Sequence, residues 1–211
     1  MKLGLLFFGL SKCNYKHRDF KEKIIIDYEK SYENYKKFIF DYFKNKGYDI
    51  DVYFTTNILQ NNDKKVLIEK YNPINCNFIK SAETPRKSRN IKLDNVIDLC
   101  LNSNIKYDLI LITRFDLLFK IDFDKSNIIF DKFNLVSILE RPRLICDNFY
   151  LFPYKYLKLF SDIVKSNLNN CFHRIQKDLY EKFNKDCINY ILSENRRVSK
   201  LSFYKICSGR F

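Results

Sequence analysis

The chain has 211 residues, 46% of them hydrophobic and 17% aromatic, which suits one ordinary domain with a real core and excludes a disordered chain. Four Gly and four Pro exclude collagen-like and linker readings, and no apolar run approaches the ~20 residues that span a bilayer. The 38 Lys and Arg against 25 Asp and Glu give +13, which invites anionic partners. Lysines interleaved with Asn, Ile, Tyr and Phe, and a single Ala (Ala82), are also what an AT-rich coding sequence yields, so charge alone assigns no function.

Residues 2–8 form a continuous apolar run closed by Gly9, Leu10 and Ser11. With one Lys before it and no small-residue cleavage site after it, the run reads as a first strand, not a signal peptide. Residues 27–46 repeat aromatics at three and four and stop at Gly47, the pattern of an amphipathic helix. A second strand is expected over 48–54, ending at Thr55, Thr56 and Asn57. A short helix over 61–71, a short strand over 76–80 and a helix over 87–101 follow. Residues 107–113 (YDLILIT) are the most apolar stretch and predict a buried strand at the middle of the sheet. Beyond it, 127–130, 135–139 and 144–152 are strand-like, and helices are expected near 154–165 and 172–183. Alternation of strand and helix implies a mostly parallel sheet in the first half. With no repeat, low-complexity tract or linker, 1–211 reads as a single α/β domain with a central, mostly parallel mixed sheet flanked by helices.

Seven cysteines (Cys13, Cys76, Cys100, Cys146, Cys171, Cys187, Cys207) are scattered without a CxxC pair, which disfavours a zinc ribbon or redox motif. They read as buried thiols in a reducing compartment, with none marked as a nucleophile.

Ligands of parallel α/β sheets gather at the carboxyl ends of the strands, here Phe8-Gly9-Leu10-Ser11 and Thr113-Arg114-Phe115-Asp116. The second end delivers Arg114 and Asp116 on the same side, two residues apart. Asp116 is suited to a hard divalent cation and Arg114 to a phosphate or carboxylate. An ion pair closing a strand end is the competing reading. A literal DxD stands six residues on, at Asp122-Phe123-Asp124, between Lys120 and Lys125, and reads first as a solvated turn.

At YDLILITRFDLLF the chain resembles GT-A glycosyltransferases, and most closely the small glycosyltransferase domains of large DNA viruses and bacterial capsule clusters. The resemblance spans roughly 1–160, with Arg114 where the first Asp of the metal motif usually stands. It implies a GT-A-like fold, with a nucleotide-binding half over about 1–119 and an acceptor half over about 120–211. It implies a sugar-nucleotide donor, expected to be UDP-linked, a carbohydrate acceptor, and Mn²⁺ or Mg²⁺ on which dependence is partial. Asp116 would hold the metal with His173, the only late histidine. Phe8, Gly9, Leu10, Ser11, Thr55, Arg86 and Arg89 would meet the nucleotide and diphosphate, and Arg114 would neutralise the leaving group. Asp147, in LICDNFYLF, would serve the acceptor as general base or hydroxyl-binding group. His17 would be exposed.

For Gly9 a simple turn, for Thr55 a polar loop, for Arg86 and Arg89 a solvated basic face, for Asp147 a turn cap and for His173 a helix-start residue remain the structural alternatives. A second class of function, a basic nucleic-acid- or phosphate-binding protein, lacks a basic stripe with exposed sheet aromatics. A third is a catalytically inactive transferase-like binding domain, suggested by the missing first Asp. The leading expectation is a cytoplasmic enzyme (host cytoplasm if viral), monomer or small homo-oligomer, with no nucleic-acid partner and no membrane span.

Overall fold

A computed structural model of the chain describes residues 1–16, 23–138, 144–192 and 202–206. His17 and Cys207 lie outside the described residues. Strand β1 (Lys2–Phe8) leads into a hairpin, β2 (Lys12–Lys16) and β3 (Lys23–Asp27). A continuous helical stretch follows as α1 (Tyr28–Tyr35), a π-helical segment (Lys36–Asp41) and α2 (Tyr42–Asn45). Asp27 caps its start by accepting from Glu29 N, and Gly47, at φ +80°, ends it. Next come β4 (Asp49–Asn57), α3 (Asn61–Tyr71), β5 (Asn75–Ile79), α4 (Pro85–Leu101) and β6 (Leu109–Arg114). The remainder is β7 (Leu117–Phe119), β8 (Phe133–Leu135), β9 (Phe149–Pro153), α5 (Leu157–Ser166), α6 (Gln176–Phe183), β10 (Ile188–Tyr190) and β11 (Tyr204–Ile206).

Seven strands form the central sheet in the order β10-β8-β9-β6-β1-β4-β5. Strands β1, β4, β5 and β6 run parallel, β8 and β10 run parallel to each other, and β9 is antiparallel to both its neighbours, β6 and β8. Six strands therefore share one direction and β9 alone is reversed. The expected middle strand is the fourth of seven, and strands from both halves of the chain join one sheet.

Both faces of that sheet are covered, which is why its strands are apolar throughout rather than alternating. Leu3, Leu5 and Phe7 pack with Tyr28, Tyr35, Ile39, Phe43, Leu67 and Tyr71 on one face. Leu6 and Phe8 pack with Leu93, Val96, Ile97, Phe160 and Leu179 on the other. No helix among the described residues is long and apolar enough to cross a membrane.

The second strand runs past its expected end, because Thr55 and Thr56 pair with Asn77 and Phe78 of β5 and suit a strand as β-branched residues. The apolar run 127–130 is not a strand. Asn134 takes its place as partner: its carboxamide accepts from Ile129 N at 2.9 Å and donates to Ile129 O at 2.8 Å. In 144–152 only the end is strand, with Ile145 in an isolated bridge to Ile138.

Candidate active site

The reversal of β9 builds the site. A parallel strand would begin at the amino edge of the sheet, whereas β9 begins at the carboxyl edge, with Phe149 paired to Thr113. Asp147 and Asn148, just ahead of β9, thereby stand beside the end of β6. On the other side, Phe8 at the end of β1 is paired with both Arg114 and Thr55. One edge thus collects Gly9, Thr55, Arg114 and the 147–148 segment.

Arg114 ends β6, and Phe115 and Asp116 form the turn into β7. Phe115 is buried against Phe7, Phe54 and Tyr71, which turns Arg114 and Asp116 to the opposite side. There the guanidinium grips the carboxylate with two bonds, Nε to Oδ1 at 2.7 Å and Nη2 to Oδ2 at 2.5 Å. Nη1 donates to Asn148 Oδ1 at 3.1 Å, and Asn148 Nδ2 donates to Tyr204 OH at 2.9 Å. Tyr204 comes from β11, which is paired with β7. Asp116 is 1% exposed, whereas 23% of the Arg114 side chain remains exposed. Burial works against the Arg114 charge, but the adjacent Asp116 outweighs it and holds the guanidinium above its ordinary pKa.

The turn's backbone is held from α1. Tyr35 OH donates to Arg114 O at 2.5 Å and accepts from Leu117 N at 2.9 Å. Asn34 both accepts from Phe119 N (2.7 Å) and donates to Phe119 O (3.0 Å), and Ser31 Oγ donates to Phe115 O.

A second arginine pair lies alongside. Asp147 is 1% exposed, with Oδ2 2.5 Å from Arg89 Nη1 and Oδ1 3.3 Å from His173 Nδ1. The Arg89 contact is one of charge, and neither oxygen has a partner in hydrogen-bonding geometry. His173 lies in a 3₁₀ turn before α6, and its Nδ1 is 2.7 Å from Ile145 O while Ile145 N donates to His173 O at 2.7 Å. A carbonyl only accepts, so Nδ1 carries the proton and Nε2 is left as the acceptor. Arg89 sits in the first turns of α4, whose start is fixed by Thr84 accepting from Lys87 N and by Pro85 at the first position.

Of the other expected residues, Phe8, Ser11 and Thr55 are engaged within the fold. Gly9 has φ +103°, a conformation that strains any L side chain although space is open around it, the nearest atom to an added Cβ being Arg114 Cγ at 4.0 Å. Phe8 is wholly buried in the core, and Leu10 is half-buried. Ser11 N donates to Thr56 Oγ1 (3.0 Å) and its hydroxyl accepts from the same group (2.9 Å), while Thr55 Oγ1 donates to Asn95 Oδ1 (3.0 Å). Arg86 is exposed at the start of α4, apart from the Arg89–Asp147 contact. Sequence reasoning missed Asn148, Tyr35 and Tyr204. Asn148, a polar residue inside an apolar run beside Asp147, was the one legible signal.

Among the described residues no group of three His, Cys, Asp or Glu could hold a metal ion. Both Asp116 oxygens accept from Arg114, and Asp147 faces the Arg89 guanidinium, so the donor set as arranged does not fit a divalent ion unless Arg114 lets go. The literal DxD is elsewhere: Asp124 Oδ1 meets Lys46 Nζ and Tyr42 OH, both at 2.9 Å, and Asp122 meets Lys125 at 3.4 Å. Lys46 lies between α2 and the start of β4, at the amino edge of the sheet. Cys146 and Cys100 are buried, and burial pushes each thiol up to about 12, which leaves neither a nucleophile.

No protein-family model matches the chain, and no curated protein matches it. Solved structures similar to it include a glycosyltransferase involved in the glycosylation of the major capsid of PBCV-1, at 10% identity and a TM-score of 0.48, over 99% of this chain and 94% of that one. The glycosyltransferase GlyE of Streptococcus pneumoniae TIGR4 is similar at 9% identity and a TM-score of 0.44. That match covers 91% of this chain and 46% of GlyE, so the chain spans about half of it.

Proposed function

We propose that the chain is a glycosyltransferase that moves a sugar from a nucleotide-diphosphate donor, UDP-linked first among those to test, to a carbohydrate hydroxyl. One observation carries the reading. Two guanidinium groups, Arg114 and Arg89, are pinned by the consecutive residues Asn148 and Asp147 at the carboxyl edge of a mostly parallel sheet. Arg presents planar pairs of donors that match phosphate oxygens, and both side chains keep about a fifth of their surface open to a ligand.

In this reading the bond from sugar C1 to the diphosphate oxygen breaks with its electron pair leaving on the diphosphate. Arg114 and Arg89 are already in place to meet that charge, so little reorganisation accompanies the step. The acceptor oxygen bonds to C1 and gives up its proton. His173, whose side chain is 29% exposed, takes it rather than Asp147, which is 1% exposed against the Arg89 guanidinium and acts as a positioning residue. The guanidinium groups supply the positive charge.

A thermal-shift panel of UDP-, GDP-, TDP- and CMP-sugars, with Mn²⁺ and with EDTA, tests the reading. A donor at ~100 times its dissociation constant adds about 2.7 kcal/mol of apparent stability, and EDTA changes that gain little. Mass spectrometry then detects the sugar on an added glycan acceptor. Stabilisation by no sugar nucleotide overturns the proposal, and binding without turnover recasts the chain as an inactive sugar-nucleotide module.

A further inference from the structure

An ammonium group carries three donors and a strongly hydrated charge, so its burial without an anion is costly. Lys92, in the middle of α4, is 1% exposed. Its Nζ donates to Ser88 Oγ at 2.6 Å and to Ser88 O at 3.4 Å, both one turn back on the same helix. A third donor has no acceptor among the described residues, and no described carboxylate forms an ion pair with Lys92. Burial, with nothing opposing it, lowers its pKa from the ordinary value.

The position of Lys92 follows from its neighbours. Ser88, Lys92 and Asn95 share one face of α4. Asn95 Oδ1 accepts from Thr55 Oγ1 of β4 at 3.0 Å and from Asn77 Nδ2 of β5 at 2.7 Å. Arg89, one residue past Ser88, reaches Asp147 ahead of β9. Strands β6 and β1 lie between β9 and β4 in the sheet. Along α4, Lys92 falls between these two anchors, Arg89 on Asp147 and Asn95 on Thr55, both at the carboxyl edge of the sheet.

We infer that Lys92 is a phosphate-binding cation of this edge, holding the donor's diphosphate from the middle of α4 while Arg89 holds it from the first turns of that helix and Arg114 from the end of β6. The inference rests on the transfer reading above and adds a residue to its donor site. A charge kept dry for a ligand costs stability while the ligand is absent, so removing it should stabilise the free protein and weaken the complex.

Titration calorimetry with UDP, uridine and inorganic pyrophosphate, on the wild type and on Lys92→Met, tests it. The expected result is a higher melting temperature for Lys92→Met, a loss of roughly tenfold to a hundredfold in UDP and pyrophosphate affinity, and unchanged uridine affinity. Should Lys92→Met not fold, Lys92→Gln, which keeps a donor for Ser88 without the charge, carries the same test. Undiminished UDP and pyrophosphate binding in the folded variant overturns the role of Lys92 and leaves the transfer reading standing. Pyrophosphate held through Lys92 with no sugar nucleotide bound supports the role of Lys92 and sinks the transfer reading. Wild-type protein that binds none of the phosphates overturns both.

Discussion

Asp116 and Asp124 are both aspartates in short acidic motifs, and their surroundings separate them. Asp116 is buried under a two-bond grip from Arg114, whereas Asp124 is exposed and paired with Lys46 and Tyr42. Breaking a buried pair leaves an uncompensated charge and costs about 3 kcal/mol, while an exposed pair contributes about 0.5 kcal/mol. Asp116→Asn should therefore lower the melting temperature and cut transfer by orders of magnitude, since Arg114 loses the partner that aims it. Asp124→Asn should leave both nearly unchanged. Melting curves and a transfer assay on the two variants check this, and the opposite ranking would move the site to the literal DxD. The same residues show what the sequence could tell. Placing Arg114 and Asp116 on one side followed from strand geometry, and their mutual capture was the bland alternative to metal binding. The choice between those outcomes depends on Asn148 and Tyr204, which lie 34 and 90 positions from Arg114 and meet it only through the fold.

Among elements, α1 does more than cover the sheet. Ser31, Asn34 and Tyr35 are spaced at three and four, so one face of the helix meets the backbone from Arg114 to Phe119. The sequence showed that face as an aromatic stripe and thus as core, correctly for Tyr35, which is wholly buried. Its hydroxyl was invisible to periodicity. Tyr35→Phe keeps the packing and orphans Arg114 O and Leu117 N, which should cost about 2 kcal/mol. The urea midpoint should fall with the slope unchanged, and sugar-nucleotide affinity should fall with it, because the turn carrying Arg114 loosens. The apolar run of β1 and the span of α3 were legible to the residue. Strands of three residues, β7, β8, β10 and β11, were not, since their partners and not their own pattern define them.

At the scale of the molecule, the two-sided core explains the long apolar strands and made the α/β class readable from sequence. The reversed strand was not readable. Nothing in FYLFP sets its direction; that is decided by pairing with β6 on one side and β8 on the other. Yet this reversal brings the second half of the chain to the strand ends of the first, so the site depends on both halves folding together.

The grip of α1 on the turn also bears on how such a site can drift. Its bonds go to carbonyls and amides of residues 114, 115, 117 and 119, groups that every substitution except proline preserves. The shape of the turn is inherited from the helix, so the side chain at 114 is free to change chemistry without the loop being rebuilt. Exchanging the basic residue there for an acidic one would trade a built-in cation for a bound one. Arg114→Asp makes that trade. Two carboxylates would then face each other with no guanidinium between them, so the variant should melt lower than the wild type alone and recover several degrees with Mn²⁺. The wild type, already carrying its positive charge, should show no such gain. A variant indifferent to Mn²⁺ would mean that the helix preserves the backbone and not the orientation of what grows from it.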